Sequence, residues 1–448
     1  MAFSNRVLSP EIDIPQKTKQ KIGKKDIAKQ KITILTQFYP PDYAATGQLI
    51  EELAVALVNK GQPVQVYTGK PAYAFDLSDA PKEEFVDGVQ VRRTGAARFL
   101  PKRIRGKLIN GIIFCVRSAI RLRNKAARGS HLLITSAPPF LSLVGWLYNR
   151  LFGHSYTCLI YDIYPDVAVR LGVVRQDRWI VKMWDTVNHI VWKRAQSLIV
   201  LSEAMKQLLL EKDASLEDKI HVIHSWADAE FIKPIPKEKN FFVKRYGVDR
   251  FFTVLYSGNL GRCHDEETII QCVRLLRTNP DIKFLFIGNG AGSLRVREAI
   301  CSGLLPNAIQ LPYQDKEVLP YSLSAGDLSL VSLKPNMDAV VAPSKFYGIL
   351  AAGRPVAIIC PEGCYLRELV DEGNCGNYFT NGDAQGLANY IEGLARDRRK
   401  VEYLGKNARL FCENRFTLEK VLPLYLRALG LETKSGLEID SKPSTVCF

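Results

Sequence analysis

From Lys31 onward the chain alternates between two hydrophobic periods. Short β-branched runs give way to longer stretches in which apolar residues recur every three or four positions. KITILTQF reads as a buried strand, and TGQLIEELAVALVNKG as a helix stopped by Gly61. PVQVYTG and GVQVRRTG read as the next strands and RGKLINGIIFCVRSAIRLRNKAARG as a basic amphipathic helix. HLLITSAPP, YTCLIYDIYPD and AQSLIVLSEAMKQLLLEK continue the strand–loop–helix rhythm. The longest uncharged stretch, 129–149, is split by Pro138 and Pro139 into a strand (131–135) and a helix (139–151). A membrane-spanning helix needs about 20 unbroken apolar residues, so no transmembrane segment is expected.

The rhythm pauses in HVIHSWADAEFIKPIPKEKN, where prolines and charges replace periodicity. It resumes with FFTVLYSGNLG, DEETIIQCVRLL, IKFLFIGNGAG, SLRVREAICSGL and RPVAIIC. Such alternation predicts parallel sheets with helices on both faces, formed twice: an α/β chain of two doubly wound domains, each with ligands at the carboxyl ends of its strands. The expected division is a disordered extension at 1–29, an N-terminal domain at 30–225, a linker at 226–245, a C-terminal domain at 246–415, a last helix at 416–430 and a flexible tail at 431–448. The length of 448 residues suits two or three domains at ~150 residues each.

Composition adds charge to this picture. The apolar share is 47% and the charged share 24%, as in ordinary globular proteins, but the formal net charge is +15. That excess points to nucleic acid, an anionic membrane or a phosphorylated substrate. No recognition-helix, zinc or aromatic–basic RNA pattern is present, so no nucleic-acid partner is expected. The stretch Arg92 to Arg128 carries many basic residues and no acid, and these flank LINGIIFCV. A solvated face is the ordinary reading of such a run; the apolar interleaving suits an anionic membrane surface better. The ten cysteines show no C-x-x-C and no zinc spacing, as expected of reduced, mostly buried thiols in the cytoplasm.

Six segments carry candidate chemistry. In FIGNGAGS, Gly288, Gly290 and Gly292 allow close approach of a phosphate or ribose; no acid follows at the spacing of a dinucleotide site, so NAD is not expected. In YSGNLGRCHDEET, Gly258, Asn259 and Gly261 lead to Arg262 and His264. A capped turn with Asp265 as N-cap explains the glycines but not the arginine, which suits a diphosphate. In APSKFYGILAAGRPV a helix is expected from Pro343, capped by Ser344, with Lys345 in its first turn. A lysine there opposes the helix dipole unless an anion meets it. In QFYPPDYAATGQ, Thr46 and Gly47 stand at a helix N-terminus after the first strand. In LIYDIYPD, Asp166 reads as an N-cap and Asp162, at a strand end, as the candidate for chemistry. The basic stretch is the sixth.

Jointly, QFYPP…TGQLIEELAVAL, SLIVLSEAMKQLL, YSGNLG, FLFIGNGAG and PSKFYGILAAGRPV make residues 31–429 resemble the retaining glycosyltransferases of family 4 (group 1), and within them the enzymes of colanic-acid, exopolysaccharide and O-antigen synthesis. The resemblance implies the GT-B fold: two facing Rossmann-like domains with an interdomain cleft, and a last helix that crosses back onto the N-terminal domain. It implies a nucleotide-diphosphate sugar as substrate, with no cofactor and no metal, because no D-x-D motif stands in a strand-end loop. The donor would meet Gly258, Asn259, Gly290, Tyr313, Ser344 and Lys345. Lys345 and Arg262 would stabilise the leaving diphosphate, with Asp162 at the reacting centre and Thr46 and Gly47 on the acceptor side. The acceptor would be a saccharide, plausibly linked to polyprenyl diphosphate, at the inner face of the plasma membrane. Three positions depart from the family pattern: Asn259 and His264 replace a basic pair, Val340 and Gly348 replace two glutamates, and Tyr161 replaces a histidine. A sugar-nucleotide 2-epimerase and a non-catalytic partner of a polysaccharide assembly complex are the alternative readings.

Overall fold

The structure, a computed structural model, describes residues 30–41, 45–70, 80–95, 104–123 and 129–431. The expected extension at 1–29 and the tail from 432 lie outside these residues, as do 96–103 and 124–128 of the basic stretch.

Two sheets organise the chain. In the first, β1 (Ile32–Leu35), β2 (Val64–Gly69), β3 (Glu83–Val86), β4 (Val89–Thr94), β5 (His131–Thr135), β6 (Tyr156–Ile160), β7 (Ser197–Val200) and β8 (Ile220–Val222) lie in the order β3-β4-β2-β1-β5-β6-β7-β8. The second contains β9 (Phe252–Ser257), β10 (Ile282–Ile287), β11 (Ala308–Leu311), β12 (Leu328–Ser332), β13 (Val356–Ile359) and β14 (Gly376–Phe379), in the order β11-β10-β9-β12-β13-β14. Every residue of β1, β5, β6, β7, β12 and β13 is buried, because helices cover both faces. Strand order reverses between β1 and β5 and between β9 and β12. Chains leaving in opposite directions open a crevice at each point. This is the GT-B architecture that the resemblance implies.

One strand escaped the periodicity. β3 pairs antiparallel to β4 through a two-residue turn at Asp87 and Gly88, both at positive φ (49° and 80°). Asp-Gly is the favoured chemistry for such a turn, so the signal was present. The hairpin also corrects the reading of the basic stretch. It sets Glu83 and Glu84 opposite the start of that stretch, where Arg92 pairs with Glu83 (3.6 Å) and the fully buried Arg93 pairs with Glu84. Arg93 also donates to the Pro40 carbonyl at 2.6 Å. Arg93 thus belongs to the core, and Arg92, partly buried, is neutralised at its edge.

The two domains share one apolar core, in which Ile34 and Leu198 of the first join Phe346 and Ile358 of the second and Phe416 and Tyr425 of the C-terminal region. Helix Leu418–Ala428 packs on helix Ala45–Asn59 and on β7, and the Ser197 hydroxyl donates to the Ala428 carbonyl at 2.6 Å. The stretch 226–245 is itself packed: Trp226, Ala227, Ala229 and Ile232 are buried, and a short helix forms at Phe241–Arg245. Arg409 ties it down by donating to the carbonyls of Ala229, Ile232 and Ala351 (2.6–2.8 Å). Among the described residues no helix is long and apolar enough to cross a membrane.

The loops after β9 and β10 are zipped together by backbone bonds from Leu260 N–H to the Asn289 carbonyl (2.9 Å) and from Gly292 N–H to the Leu260 carbonyl (2.8 Å). Gly290 sits at φ 138°, and a Cβ there would collide with the Leu260 carbonyl. Gly348, inside helix Lys345–Ala351, has room: a Cβ would meet Leu323 at an ordinary 3.5 Å. Gly290→Ala is therefore expected to destabilise by roughly 1–3 kcal/mol through backbone strain and overlap. Gly348→Ala should be neutral or stabilise by up to about 1 kcal/mol. Urea and thermal unfolding of both variants check this; equal effects would contradict the loop geometry.

Candidate functional site

The second sheet's crevice, where β9 and β12 part, gathers most of the candidate residues. β9 ends in Ser257 and runs into Gly258 (φ 119°) and Asn259; β10 runs into Gly288 (φ 122°), over which the Tyr313 ring packs. After β12 the chain loops through 333–344 and returns as helix Lys345–Ala351. Lys345 points back over β9. Its ammonium donates to the Tyr256 hydroxyl and to the Asn259 carbonyl (3.0 Å), and it lies 4.1 Å from the centroid of the Tyr256 ring.

No carboxylate pairs with Lys345 among the described residues; only neutral dipoles and a ring face solvate it. Burial consequently lowers its pKa to about 7. A half-buried ammonium with neutral partners is a site that an arriving anion would stabilise. The neighbouring basic groups differ in availability. Lys334 is committed to Glu266 at 3.0 Å. His264 is bonded to the Ser332 carbonyl at 2.6 Å, and burial, reinforced by Lys345, pushes it down to about 3, so it is neutral at physiological pH. Arg262 is exposed on the loop after Gly261 and has no ion-pair partner among the described residues. It is the one cation of the β9 loop left available.

The helix that carries Lys345 corrects an expectation. It begins at Lys345, not at Pro343, and Ser344 makes no capping bond. Ser344 has helical dihedrals (φ −60°, ψ −22°), whereas capping requires an extended residue whose side chain can turn back to the first N–H groups. Its hydroxyl is thereby free of the helix. With seven residues the helix has a weak dipole, so the positive potential here comes from the ammonium. The Asp265 cap is as expected: its carboxylate accepts from Thr268 N–H at 3.0 Å.

Asp162 lies across the domain boundary. It follows β6 and forms an isolated antiparallel bridge with Val341, and the adjacent Ile163 N–H donates to the Val340 carbonyl at 3.1 Å. Its carboxyl has no hydrogen-bond or ion-pair partner among the described residues, and burial raises its pKa to about 6. Its charge adds to burial in lifting the Cys263 thiol to about 11, which sets it beside the loop that bears Arg262. It forms no pair with Lys345. Asp166 is not an N-cap: it is the first residue of helix Asp166–Arg170, behind Pro165, and its carboxylate pairs with Lys212 at 3.0 Å.

Thr46 and Gly47 occupy the first turn of helix Ala45–Asn59. Gly47 packs against the backbone of Phe38 and Tyr39, where a Cβ would be tight at 3.2 Å. Further along, this helix reaches the other domain through Glu51 to Lys316 (3.6 Å), and Glu52 accepts from Trp226 Nε1 at 2.6 Å. It therefore runs along the domain boundary, but among the described residues no hydrogen bond joins Thr46 or Gly47 to the Lys345 cluster. Sequence reasoning overlooked Tyr256, the floor of the ammonium site. It stands in the same YSGNLG segment, where the glycines and Asn259 drew notice.

The description Glycosyl transferase 4-like domain matches residues 45–226, and Glycosyl transferases group 1 matches residues 238–411. WbjE of Pseudomonas aeruginosa, named as a glycosyltransferase, is 27% identical over 61% of this chain and 68% of its own length. WcaI of Escherichia coli, named as a glycosyl transferase of colanic acid biosynthesis, is 25% identical over 76% of this chain and 86% of its own. Among solved structures, sucrose-phosphate synthase from Thermosynechococcus elongatus superimposes with a TM-score of 0.72 at 18% identity, over 90% of this chain and 100% of that one. HepE of Anabaena, solved with UDP, gives 0.65 at 16% identity over 89% and 99%. With the first description ending, and the second beginning, in the stretch between the two sheets, and with the group 1 segment containing the whole Lys345 cluster, the chain belongs to the family 4 (group 1) glycosyltransferases of the GT-B fold.

Proposed function

We propose that this glycosyltransferase moves a hexosyl group, with retention and without a metal, from a nucleotide-diphosphate donor to a growing lipid-linked saccharide of a cell-surface polysaccharide. The observation that carries this reading is the Lys345 ammonium at the β9/β12 crevice, half-buried, with neutral partners only. The diphosphate is its missing counterion. Arg262 and the Ser344 hydroxyl complete the anion site, and Gly258, Asn259, Gly290 and Tyr313 flank the nucleoside. As the glycosidic bond breaks, charge develops on the diphosphate, and fixed cations stabilise it there without rearrangement. The leaving phosphate can accept the acceptor's proton, so Asp162 serves to orient the reacting hydroxyl, and Thr46 and Gly47 lie on the acceptor side. UDP in HepE and the colanic-acid role in WcaI's name support the donor class and the pathway class. The epimerase and non-catalytic readings gain no such support.

The proposed workplace is the inner face of the plasma membrane. Helix Ile104–Leu122 turns Gly111, Phe114, Ser118 and Leu122 inward yet exposes Ile109, Ile112, Val116 and Ile120 at the same helical spacing. It packs beside helix Leu141–Phe152, which exposes Leu147, Leu151 and Phe152, and this packs beside helix Trp179–Arg194, which exposes Trp179, Ile180 and Met183. Arg123, Arg150, Lys182 and Arg194 stand exposed on the same three segments. Apolar residues among cations suit an anionic bilayer, at ~1 kcal/mol per basic residue near the surface. Nine described cysteines are unpaired, in keeping with a reducing cytoplasm.

Lys345→Ala and Arg262→Ala should each weaken UDP or GDP binding by about 10–100-fold, as loss of a charge-assisted contact does, and lower turnover in step. Wild-type calorimetric titrations in both variants would refute the anion site. Affinity should also depend on pH. The free lysine titrates near 7, and the bound diphosphate favours its charged form, so binding takes up a proton above that pH. The dissociation constant should rise by up to about tenfold per unit above pH 7, where UDP itself no longer titrates. Lys345→Arg should flatten the profile; a flat profile in the wild type would contradict the lowered pKa. Finally, the protein should float with phosphatidylglycerol–phosphatidylcholine vesicles, less so in high salt, and not with phosphatidylcholine alone. Ile112→Asp with Ile120→Asp should abolish flotation and leave UDP binding intact.

A further inference from the structure

The N-terminal domain holds a second concavity that the donor site does not use. It lies at the carboxyl ends of β5 and β6, between helices Leu141–Phe152 and Trp179–Arg194, and encloses ≈ 30 Å³. Phe140, Tyr164 and Trp184 form one wall; Ser136 and Asp162 close the inner end. The rings form a stack about Trp184. Phe140 stacks on Trp184 at 4.2 Å between centroids and 29° between planes, and Tyr164 lies 5.8 Å from Trp184 at only 10°.

Several details show that this wall is held in place. Phe140 has φ 71° and ψ 0°, a left-handed conformation that is rare for a bulky side chain and persists only where the surroundings enforce it. The Tyr164 carbonyl accepts from Asn188 Nδ2 at 2.6 Å, which fixes the turn after β6. Ser136 Oγ accepts both the Tyr161 and the Asp162 N–H (3.0 and 3.2 Å), which pins the strand end. All three residues remain partly exposed. Next to them the Asp162 carboxyl, raised to about 6 by burial, has no partner among the described residues.

The chemistry of this surface narrows its ligand. The enclosed space takes a hydroxyl or hydroxymethyl group but no ring, so a ring must rest on the aromatic wall outside it. A purely apolar ligand would leave the Asp162 carboxyl unsatisfied. An anion would face the same carboxyl as a like charge. A quaternary ammonium is bound by rings set around it as a cage, whereas these planes are near parallel. A pyranose satisfies both parts, with apolar C–H groups for the ring edges and outer faces of the stack and a hydroxyl for the carboxylate. The Asp162–Val341 bridge puts this surface at the domain boundary, next to the loop that leads to Lys345.

We infer that Phe140, Tyr164 and Trp184, together with Asp162, form the subsite that holds a neutral pyranose ring of the acceptor saccharide. The inference rests on the glycosyl-transfer reading above and gives its acceptor a place: against β5 and β6, reached along the same helix whose first turn exposes Trp179 and Ile180. Trp184 and Tyr164 act by binding and orienting, not by chemistry.

Saturation-transfer NMR with octyl β-glucoside, octyl β-galactoside and octyl α-mannoside, below their micelle concentrations, tests it on the full chain. At least one glycoside should receive saturation at its ring protons, and the effect should fall by about tenfold or more in Trp184→Leu and in Tyr164→Leu while surviving in Trp184→Phe. UDP affinity, measured on the same samples, should not change, and so also certifies that each variant is folded; if one variant fails that check, the other decides. Saturation confined to the octyl chains, ring saturation that survives both leucine variants, displacement by choline, or no binding of any of the three would overturn the subsite. Absence of both UDP and GDP binding in the wild type would instead overturn the donor reading, so the two failures are separable.

Discussion

The Lys345 ammonium is the charge around which the C-terminal domain's crevice is arranged. An ammonium removed from water needs compensation, and here it comes from a phenol, a backbone carbonyl and a ring face instead of a carboxylate. Each of those partners depends on the strand geometry. Tyr256 is in β9, Asn259 in the loop that β9 feeds, and the turn between them runs through Gly258 at φ 119°, a backbone conformation that side chains disfavour. The lysine keeps its charge only conditionally, with a pKa near 7, and an anion makes that charge permanent. The same ammonium helps to hold His264 neutral, which leaves Arg262 as the available cation of the β9 loop among the described residues.

The domain boundary is a packed joint. The segment between the sheets buries Trp226, Ala227, Ala229 and Ile232, Arg409 ties two of its carbonyls to that of Ala351, and the last helix returns to cover β7. Two backbone contacts, Asp162 with Val341 and Ile163 with Val340, connect the strand end of one domain to the loop of the other. Any change in domain angle must therefore act on the loop that leads into Lys345. This joint also accounts for one departure from the family pattern. Val340 is fully buried and its carbonyl is used in the bridge, so a glutamate there would place an unpaired charge in the core. Gly348 carries no such constraint, since its surroundings accept a Cβ.

Much of the fold was legible along the chain. Both parallel sheets announce themselves as continuous apolar runs, because strands covered on both faces cannot alternate with polar residues. The break near 226–245 was visible too, although its prolines and charges suggested a looser segment than the packed one that forms. β3 was hidden because EEFV is polar and its edge position buries little, although the Asp-Gly turn beside it pointed to a hairpin. Arg92 and Arg93 looked like surface charge because their partners, Glu83 and Glu84, are on that unrecognised strand.

For the site, local chemistry carried some positions and not others. The sequence determined that glycine loops follow β9 and β10, that a lysine opens a helix against its dipole, and that an aspartate ends a buried strand, because turns, propensity and helix ends obey rules acting over a few residues. Only the tertiary structure decided what those groups meet. Tyr256 lies under a lysine 89 positions away, His264 is bonded to a carbonyl 68 positions away, and Ser344 is released from capping by dihedrals that its neighbours impose. The aromatic stack of Phe140, Tyr164 and Trp184 has no spacing that could reveal it. Its three rings come from a loop, a turn and a helix, and they become one surface only when β5 and β6 are laid side by side.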